Sequence, residues 1–289
     1  MNSVYLFTIL STFFWGANFV LAGPILHDIT PLWAAALRFD LGALILAGYT
    51  LLRGEMLLAS LRRHALAYLV TGAVGIGGFN VLFFTALQTA SATDASLIMA
   101  TNPLLTALLA TLLLGESASL TWLFSIPLAL AGVVVVISAG HVEQLLHLQI
   151  NRGVLLMLGA NLAWALYNIL SRRFLPKQSI LVNTTLVVGA GAAVLQIAAL
   201  SSGQLLAMPG THALVALAFM TTAGTVLAYL FWNIGIMALG AARAALFLNL
   251  VPVFAMLTAI TFGQWPNLAQ LTGGTLVICG VIISMWKCA

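Results

Sequence analysis

Two tryptophans, Trp15 and Trp164, lie 149 residues apart, each near the middle of a long apolar run. Tryptophan in membrane-spanning segments concentrates near the water interfaces, where its ring and its N–H meet different surroundings. An indole at mid-depth can instead stack on a flat or apolar ligand, or simply fill space between helices. Because the two positions repeat at one offset, we predict that both rings contact a ligand.

Two prolines, Pro103 and Pro252, are also 149 residues apart and lie inside apolar runs. A proline within a helix lacks a backbone N–H and frees the carbonyl four residues earlier, here that of Met99 or Leu248. Such carbonyls are tolerated in an apolar environment only against protein or water. We therefore predict that the prolines are hinges and that Met99 lines a cavity, with a simple packing kink as the alternative.

Amide and phenyl side chains occur in the same runs. A buried amide needs a hydrogen-bond partner, which can be a neighbouring helix or a ligand. Four asparagines lie within about one helical turn of the repeated prolines or tryptophans, and two phenylalanines spaced four apart share one helix face. The predicted ligand contacts are therefore Asn18, Asn102, Asn168, Asn249, Phe79 and Phe83.

Arg38 and Asp40 are the charges that lie deepest within an apolar run. A charge at such a depth costs on the order of 3 kcal/mol unless it is paired or hydrated. Since residues two apart on a helix point in different directions, the two cannot easily pair with each other. Arg38 can bind a ligand carboxylate or anchor its helix near the outer surface, and Asp40 is a candidate proton-coupling site.

Composition places all of these residues in a membrane protein. The chain of 289 residues is 62% hydrophobic and 6% charged, whereas soluble domains carry about 25% charged residues. The basic residues lie at the ends of apolar runs and form no patch for nucleic acid. Cys279, Cys288 and the scattered histidines have no metal-site spacing, so we predict neither a metal nor a cofactor.

The apolar runs predict an all-α integral membrane protein, because they are continuous and about 20 residues long. Arginines and lysines cluster in the loops that are cytoplasmic if the N-terminus is cytoplasmic, and ten helices return the C-terminus to the same side. The predicted helices are 4–23, 31–52, 65–88, 92–114, 119–138, 153–172, 179–201, 212–235, 242–262 and 267–286.

The repeated residues divide the chain into two units, 1–140 and 150–289. After the prolines the offset falls by one, since Gly115 pairs with Gly263 and Gly132 with Gly280. Five helices per unit is an odd number, so the second unit must enter the membrane from the opposite side. The sequence therefore predicts two inverted five-helix repeats, an arrangement that many transporters use to build two gates around one site.

The repeat unit resembles the EamA family of the drug/metabolite transporter superfamily. The resemblance rests on the segments 15–19, 36–39, 84–87, 115–116 and 130–134, with a proline at 103, all in the order of the family pattern. The second copy is degenerate: Val187 stands where the first copy has Arg38, and Gln264 where it has Glu116. We therefore expect an asymmetric site.

The resemblance implies a ten-helix carrier in a bacterial inner membrane that exports small molecules such as amino acids through a central cavity. The deep aromatic residues favour substrates with large apolar or aromatic side chains. Exporters of drugs or purines and a passive channel remain alternatives, and an enzyme is not expected because acidic and histidine residues do not cluster. The expected partners are the substrate and the lipid bilayer, with a monomer as the simplest assembly.

Overall fold

The computed structural model describes residues 2–90, 92–116, 120–141 and 151–285, and these fold into helices without strands. Four of the helices, α3, α4, α8 and α9, consist of more than one segment, so the label of each covers all of its parts. We label them α1 (Asn2–Asp28), α2 (Pro31–Leu52), α3 (Leu57–Ala86), α4 (Ala92–Ala100 and Asn102–Leu114), α5 (Leu120–Ser138), α6 (Arg152–Arg173), α7 (Ile180–Ser201), α8 (Thr211–Leu239), α9 (Ala241–Ile260) and α10 (Leu268–Met285).

Within the described residues, nine helices are long and apolar enough to cross a membrane, and α5 contributes a shorter apolar helix, Phe124–Ser138. Most predicted bounds agree to within a few residues. Two do not: α1 continues through Pro24 to Asp28, and α3 begins at Leu57, with a kink at His64. Proline at position 24 is accommodated inside the helix, so it does not end α1 as predicted. The predicted ends at 119 and 286 lie outside the described residues.

Both repeated prolines follow a break in their helix. In α4 the helix is interrupted at Thr101, and Pro103 lies in the first turn of the second part. In α9 a short 3-10 segment, Phe247–Asn249, precedes the part that contains Pro252. A proline in a first turn removes an N–H that has no helical partner there, so both prolines are placed where they cost little.

Helices α3 and α8 each contain a π-helical segment, and the two segments are 149 residues apart: Ala73–Gly78 in α3 and Thr222–Leu227 in α8. Glycines in or facing these segments allow close helix contacts. A Cβ at Gly75 would overlap the Tyr167 ring of α6, and a Cβ at Gly224 would overlap the Asn18 side chain of α1. Asn18 and Tyr167 are themselves 149 residues apart, so the two contacts are repeat-related.

Helices of one copy pack against helices of the other copy. Helix α1 packs against α8 and α9, while α6 packs against α3 and α4. Helix α2 packs against α7, and α5 packs against α10. The close glycine contacts between α2 and α8 (Gly42 with Thr225) and between α7 and α3 (Gly191 with Ile76) are again related by the 149-residue offset. The two copies therefore interlock, and the residues of a central site come from both.

Candidate functional site

The two repeated tryptophans meet in the interior, because α1 and α6 both pack against the glycine-rich segments of α3 and α8. The ring centroids of Trp15 and Trp164 are 5.3 Å apart, with the rings edge to face. Trp232 lies 5.2 Å from Trp15, and Tyr167 stacks on Trp164 at 5.1 Å. Together with Tyr229 these residues form what we call the aromatic cluster: Trp15, Trp164, Tyr167, Tyr229 and Trp232.

The two copies hold their tryptophans differently. The Trp15 Nε1 donates a hydrogen bond of 3.0 Å to the Gly224 carbonyl in the π-helical segment of α8. Trp164 has no such bond among the described residues and is held by stacking on Tyr167, whose hydroxyl donates to Asn233 at 2.9 Å. The cluster is thus rigid on the α6 side, where a bonded tyrosine supports the ring.

The predicted Phe79, Phe83 and Met99 come together beside this cluster. The two phenyl centroids are 5.6 Å apart, and Phe79 lies 5.3 Å from Trp164. All three side chains are half-buried and pack against the same apolar core between α3, α4 and α6. Their grouping extends the aromatic surface from the cluster towards α4.

Asn102 and Asn168 lie in a fully buried chain of hydrogen bonds, so their amides are engaged by protein. The Asn102 amide donates to Asn161 at 2.7 Å and accepts from Thr106 at 3.0 Å. The Asn168 oxygen accepts from Trp232 Nε1 at 3.0 Å. In this state both asparagines join α4, α6 and α8, and the bond to Trp232 connects the polar chain to the aromatic cluster.

The carbonyl that the break in α4 exposes is that of Ile98. It accepts from the Asn161 side chain at 3.0 Å and from the Thr101 backbone at 3.1 Å. Pro103 has no N–H to bond the Met99 carbonyl, and that this carbonyl lines a cavity stays a prediction. In α9 the Leu250 N–H reaches the Leu248 carbonyl.

Asn18 and Asn249 differ from the other two asparagines, because the Oδ1 atom of each is buried without a hydrogen-bond partner among the described residues. Asn18 lies against Gly224, one turn from Trp15, and Asn249 lies in the 3-10 segment of α9. A buried amide oxygen without a partner costs about 1–3 kcal/mol. Both atoms are therefore suited to accept a hydrogen bond from a bound molecule.

Arg38 lies half-buried in α2 with its guanidinium carbon 4.6 Å from the centroid of the Phe39 ring. Its Nε is buried and has no partner, and no described acidic residue forms an ion pair with it. Phe39 in turn packs edge-on against Tyr229 at 5.6 Å. The structure thus brings an unpaired cation beside the aromatic cluster.

Asp40 is half-buried on α2 and makes no hydrogen bond or ion pair with the described residues. As predicted from their spacing, Arg38 and Asp40 do not pair. Asp40 is also not brought to the aromatic cluster by any contact of the described residues.

Two surface clefts lie away from these residues. One, of about 240 Å³, lies between the start of α3 and the start of α7 and includes Ser60, Arg63 and Gln178. The other, of about 310 Å³, lies between the end of α1 and the start of α8 and includes Asp28 and His212. Neither contains a predicted contact residue. Sequence reasoning missed Trp232, Tyr229 and Asn161, although each is an aromatic or amide residue inside an apolar run.

Known proteins resemble this chain in sequence and in fold. The EamA-like transporter family matches residues 2–138 and again residues 151–286. The Bacillus subtilis protein named uncharacterized transporter YyaM is 36% identical over 282 residues, 97% of this chain and 92% of its own. The Escherichia coli K12 protein named uncharacterized inner membrane transporter YedA is 26% identical and covers 94% of this chain and 88% of its own.

A third relative, from Salmonella typhimurium, is named a probable amino-acid metabolite efflux pump; it is 28% identical over 94% of this chain and 91% of its own. A crystal structure 22% identical to this chain superposes with a TM-score of 0.82 over 99% of this chain and 97% of the other, which shows the fold. The family model matches both copies of the repeat, and the relatives align over nearly the whole chain. The chain belongs to the EamA-like transporter family.

Proposed function

We propose that the protein is a secondary transporter that exports small metabolites, and that amino acids with large apolar or aromatic side chains are its preferred substrates. The observation that carries this proposal is the contact between Trp15 and Trp164, which joins repeat-related positions of the two copies in the interior. Aromatic rings in offset or edge contact offer large apolar surfaces to a flat ligand. The Salmonella relative's name supports an amino-acid substrate.

The polar groups beside the aromatic cluster match the two charged ends of an amino acid. Arg38 supplies an unpaired cation for a carboxylate, and Asn18 supplies an unpaired acceptor for an ammonium group. A guanidinium binds carboxylate through parallel N–H bonds, and burial strengthens such contacts. In this proposal Trp15, Trp164, Phe79, Phe83 and Met99 contact the side chain of the substrate. Asn249 offers a second unpartnered acceptor, while Asn102 and Asn168 contact substrate only if their hydrogen bonds to neighbouring helices rearrange.

The architecture that we propose is ten transmembrane helices in two inverted repeats, 1–140 and 150–289, with both termini cytoplasmic in a bacterial inner membrane. The exchange of contacts supports it: α1 with α8 and α9 corresponds to α6 with α3 and α4. Repeats of this kind alternate access by moving one bundle against the other around a fixed site. Breaks beside Pro103 and Pro252 are the proposed hinges, and Asp40 is a candidate for proton coupling.

The test is counterflow of radiolabelled amino acids in proteoliposomes. Preloading with unlabelled substrate stimulates uptake by a carrier but not by a pore, which separates the proposal from the passive-channel alternative. Drugs and purines in the same panel test the other alternative. Trp15→Ala should lower substrate exchange at least about tenfold, because the ring touches three members of the cluster.

Two further variants control for folding. Trp15→Phe keeps an aromatic ring and should retain part of the activity, whereas Trp265→Ala removes an exposed tryptophan outside the cluster and should leave exchange unchanged. Absence of counterflow for every amino acid, with folded protein and sealed vesicles, would contradict the amino-acid proposal. An equal loss of substrate exchange in Trp15→Ala and Trp265→Ala would show that the aromatic cluster is not part of the substrate site.

A further inference from the structure

One end of the molecule is held by a carboxylate that bonds three groups at once. Glu116 follows the last turn of α4, and its Oε1 and Oε2 accept from the backbone N–H groups of Ala241 and Ala242 at 3.0 and 3.1 Å. Oε1 also lies 2.9 Å from the Arg172 Nε at the end of α6. The carboxylate thus connects the end of α4 to the start of α9 and the end of α6.

Arg172 extends the same connection to α8. Its Nη1 donates to the carbonyls of Ile236 and Met237, both at 3.0 Å, in the last turns of that helix. A cation at a helix C-terminus and a carboxylate at backbone N–H groups are both favourable placements. We call Glu116 and Arg172 the latch, because the two side chains join the ends of four helices.

Two glycines with positive φ make the latch possible. Gly115, at φ 67°, turns the chain at the end of α4 so that Glu116 follows directly. Gly240, at φ 96°, precedes the bonded Ala241, and a Cβ there would lie 3.0 Å from both carboxylate oxygens. A side chain at position 240 would therefore strain the backbone and crowd the carboxylate.

Beneath the latch, helices α4, α5, α6 and α9 form an apolar plug. Its side chains are at most 8% exposed for six members and 9% for Ile126, so they leave little room for a ligand to pass. The plug consists of Ala107, Ala110, Ile126, Ile169, Ala241, Ala242 and Leu246. Closure of this end thus rests on a polar cap above a buried layer of apolar side chains.

Among the described residues, the repeat-equivalent positions at the other end form no latch. Gln264 replaces Glu116, is exposed, and its side chain makes no hydrogen bond with the described residues. Gly23 replaces Arg172, and no atom lies within 4 Å of the position that its Cβ would take. Met256 and Ala259, which lie as far after Pro252 as the plug residues Ala107 and Ala110 lie after Pro103, are half-buried.

We propose that the latch holds the Glu116 end closed and that it must break in every transport cycle to admit substrate at that end; this rests on the proposed alternating-access function. The basic loops place the Glu116 end on the cytoplasmic side, which is where an exporter takes up its substrate. The unlatched Gln264 end is then the end through which substrate leaves. The balance between the two access states depends on the strength of one ion pair and its four backbone contacts.

The test measures the reactivity of one cysteine within the plug. Ala110→Cys is made in a protein that also carries Cys279→Ser and Cys288→Ser, is placed in nanodiscs, and reacts with a charged methanethiosulfonate reagent. Glu116→Gln keeps the shape of the side chain but removes the charge, so the reaction rate should rise about tenfold as the end opens more often. Ala259→Cys, at the equivalent position of the other end, should not become more reactive.

Glu55→Gln is the matched control, because it removes an acidic charge in the loop before α3 without touching the latch. It should leave the Ala110→Cys rate unchanged. Arg172→Lys keeps the positive charge but loses the fork that reaches both Glu116 and α8, and should give a smaller rise of about threefold. This variant retains the ion pair and serves as the test if Glu116→Gln does not fold.

An unchanged rate in both latch variants, or an equal rise in Glu55→Gln, would overturn the proposal. The labelling needs no substrate, so its outcome is separate from that of the transport assay. Loss of all counterflow with an intact labelling response would count against the proposed substrate and leave the latch in place.

Discussion

The Glu116 end and the Gln264 end are built from repeat-related helices, yet they differ in burial and in their polar contacts. At the Glu116 end the second part of α4 is buried, with Pro103, Thr106 and Ala110 all inaccessible. At the Gln264 end the equivalent part of α9 is half-buried at Pro252 and Ala259. The repeated helix part is thus more buried at the Glu116 end than at the Gln264 end, and alternating access requires its two gates to differ in closure.

Polar side chains account for much of this difference. The second part of α4 carries Asn102 and Thr106, which bond to α6, whereas α9 has Val251 and Ala255 at the corresponding positions. A satisfied buried network rigidifies its surroundings, while an apolar contact permits sliding. The second part of α4 is therefore fastened by the latch and the amide chain, whereas among the described residues the second part of α9 makes no side-chain hydrogen bond to another helix.

The largest expected effect is on stability, and it distinguishes the second part of α4 from the second part of α9. Asn102→Ala removes the donor to the buried Asn161 Oδ1 and the acceptor of the Thr106 hydroxyl, so we expect a loss of about 2–4 kcal/mol in the free energy of unfolding. Val251→Ala, at the equivalent position of α9, should cost about 1 kcal/mol, since it removes only part of a half-buried side chain. Thermal unfolding in detergent measures both, and equal losses would show that the amide chain does not distinguish the ends.

A smaller effect is expected from building a second latch. Gly23→Arg with Gln264→Glu restores at the Gln264 end the two residue types that the Glu116 end has, and the open space at Gly23 can accept the longer side chain. A partly exposed ion pair contributes about 1 kcal/mol, so the reactivity of Ala259→Cys should fall roughly fivefold. Each single substitution is the control and should have little effect; a double variant that behaves like the singles would mean that helix geometry, rather than the missing charges, keeps this end loose.

The sequence predicted the helices well because each is a long apolar run bounded by charges or turn residues. The repeat offset identified Trp15 and Trp164 as equivalent positions, and the structure brings the two rings into contact; that they bind a ligand stays a prediction. What it could not predict were contacts that depend on the close approach of two helices. The π-helical segments of α3 and α8 and the placement of Asn18 on Gly224 arise from glycine packing, which leaves no periodic signal.

The asparagines illustrate the same limit. The sequence predicts ligand contacts for all four asparagines, Asn102, Asn168, Asn18 and Asn249. It does not show whether an amide in an apolar run is bonded to another helix or lacks a partner. The structure separates them: the first two are bonded to neighbouring helices, and the Oδ1 atoms of the other two are buried without partners. Glu116 was recognised as part of a repeat pattern and its replacement by Gln264 as a departure, but its role required the positions of Arg172 and α9.

The most direct test of the account compares the two ends in one experiment by measuring distances between paired spin labels. Labels at Leu113 and Met237 report the Glu116 end, and labels at Phe262 and Gln88, which lie just after the ends of α9 and α3, report the Gln264 end; all four side chains are exposed. With the amino acid that gives the highest counterflow, the first distance should lengthen by about 5 Å while the second shortens. Distances that stay fixed at both ends, or lengthen together, would contradict the claim that the two copies act as opposing gates.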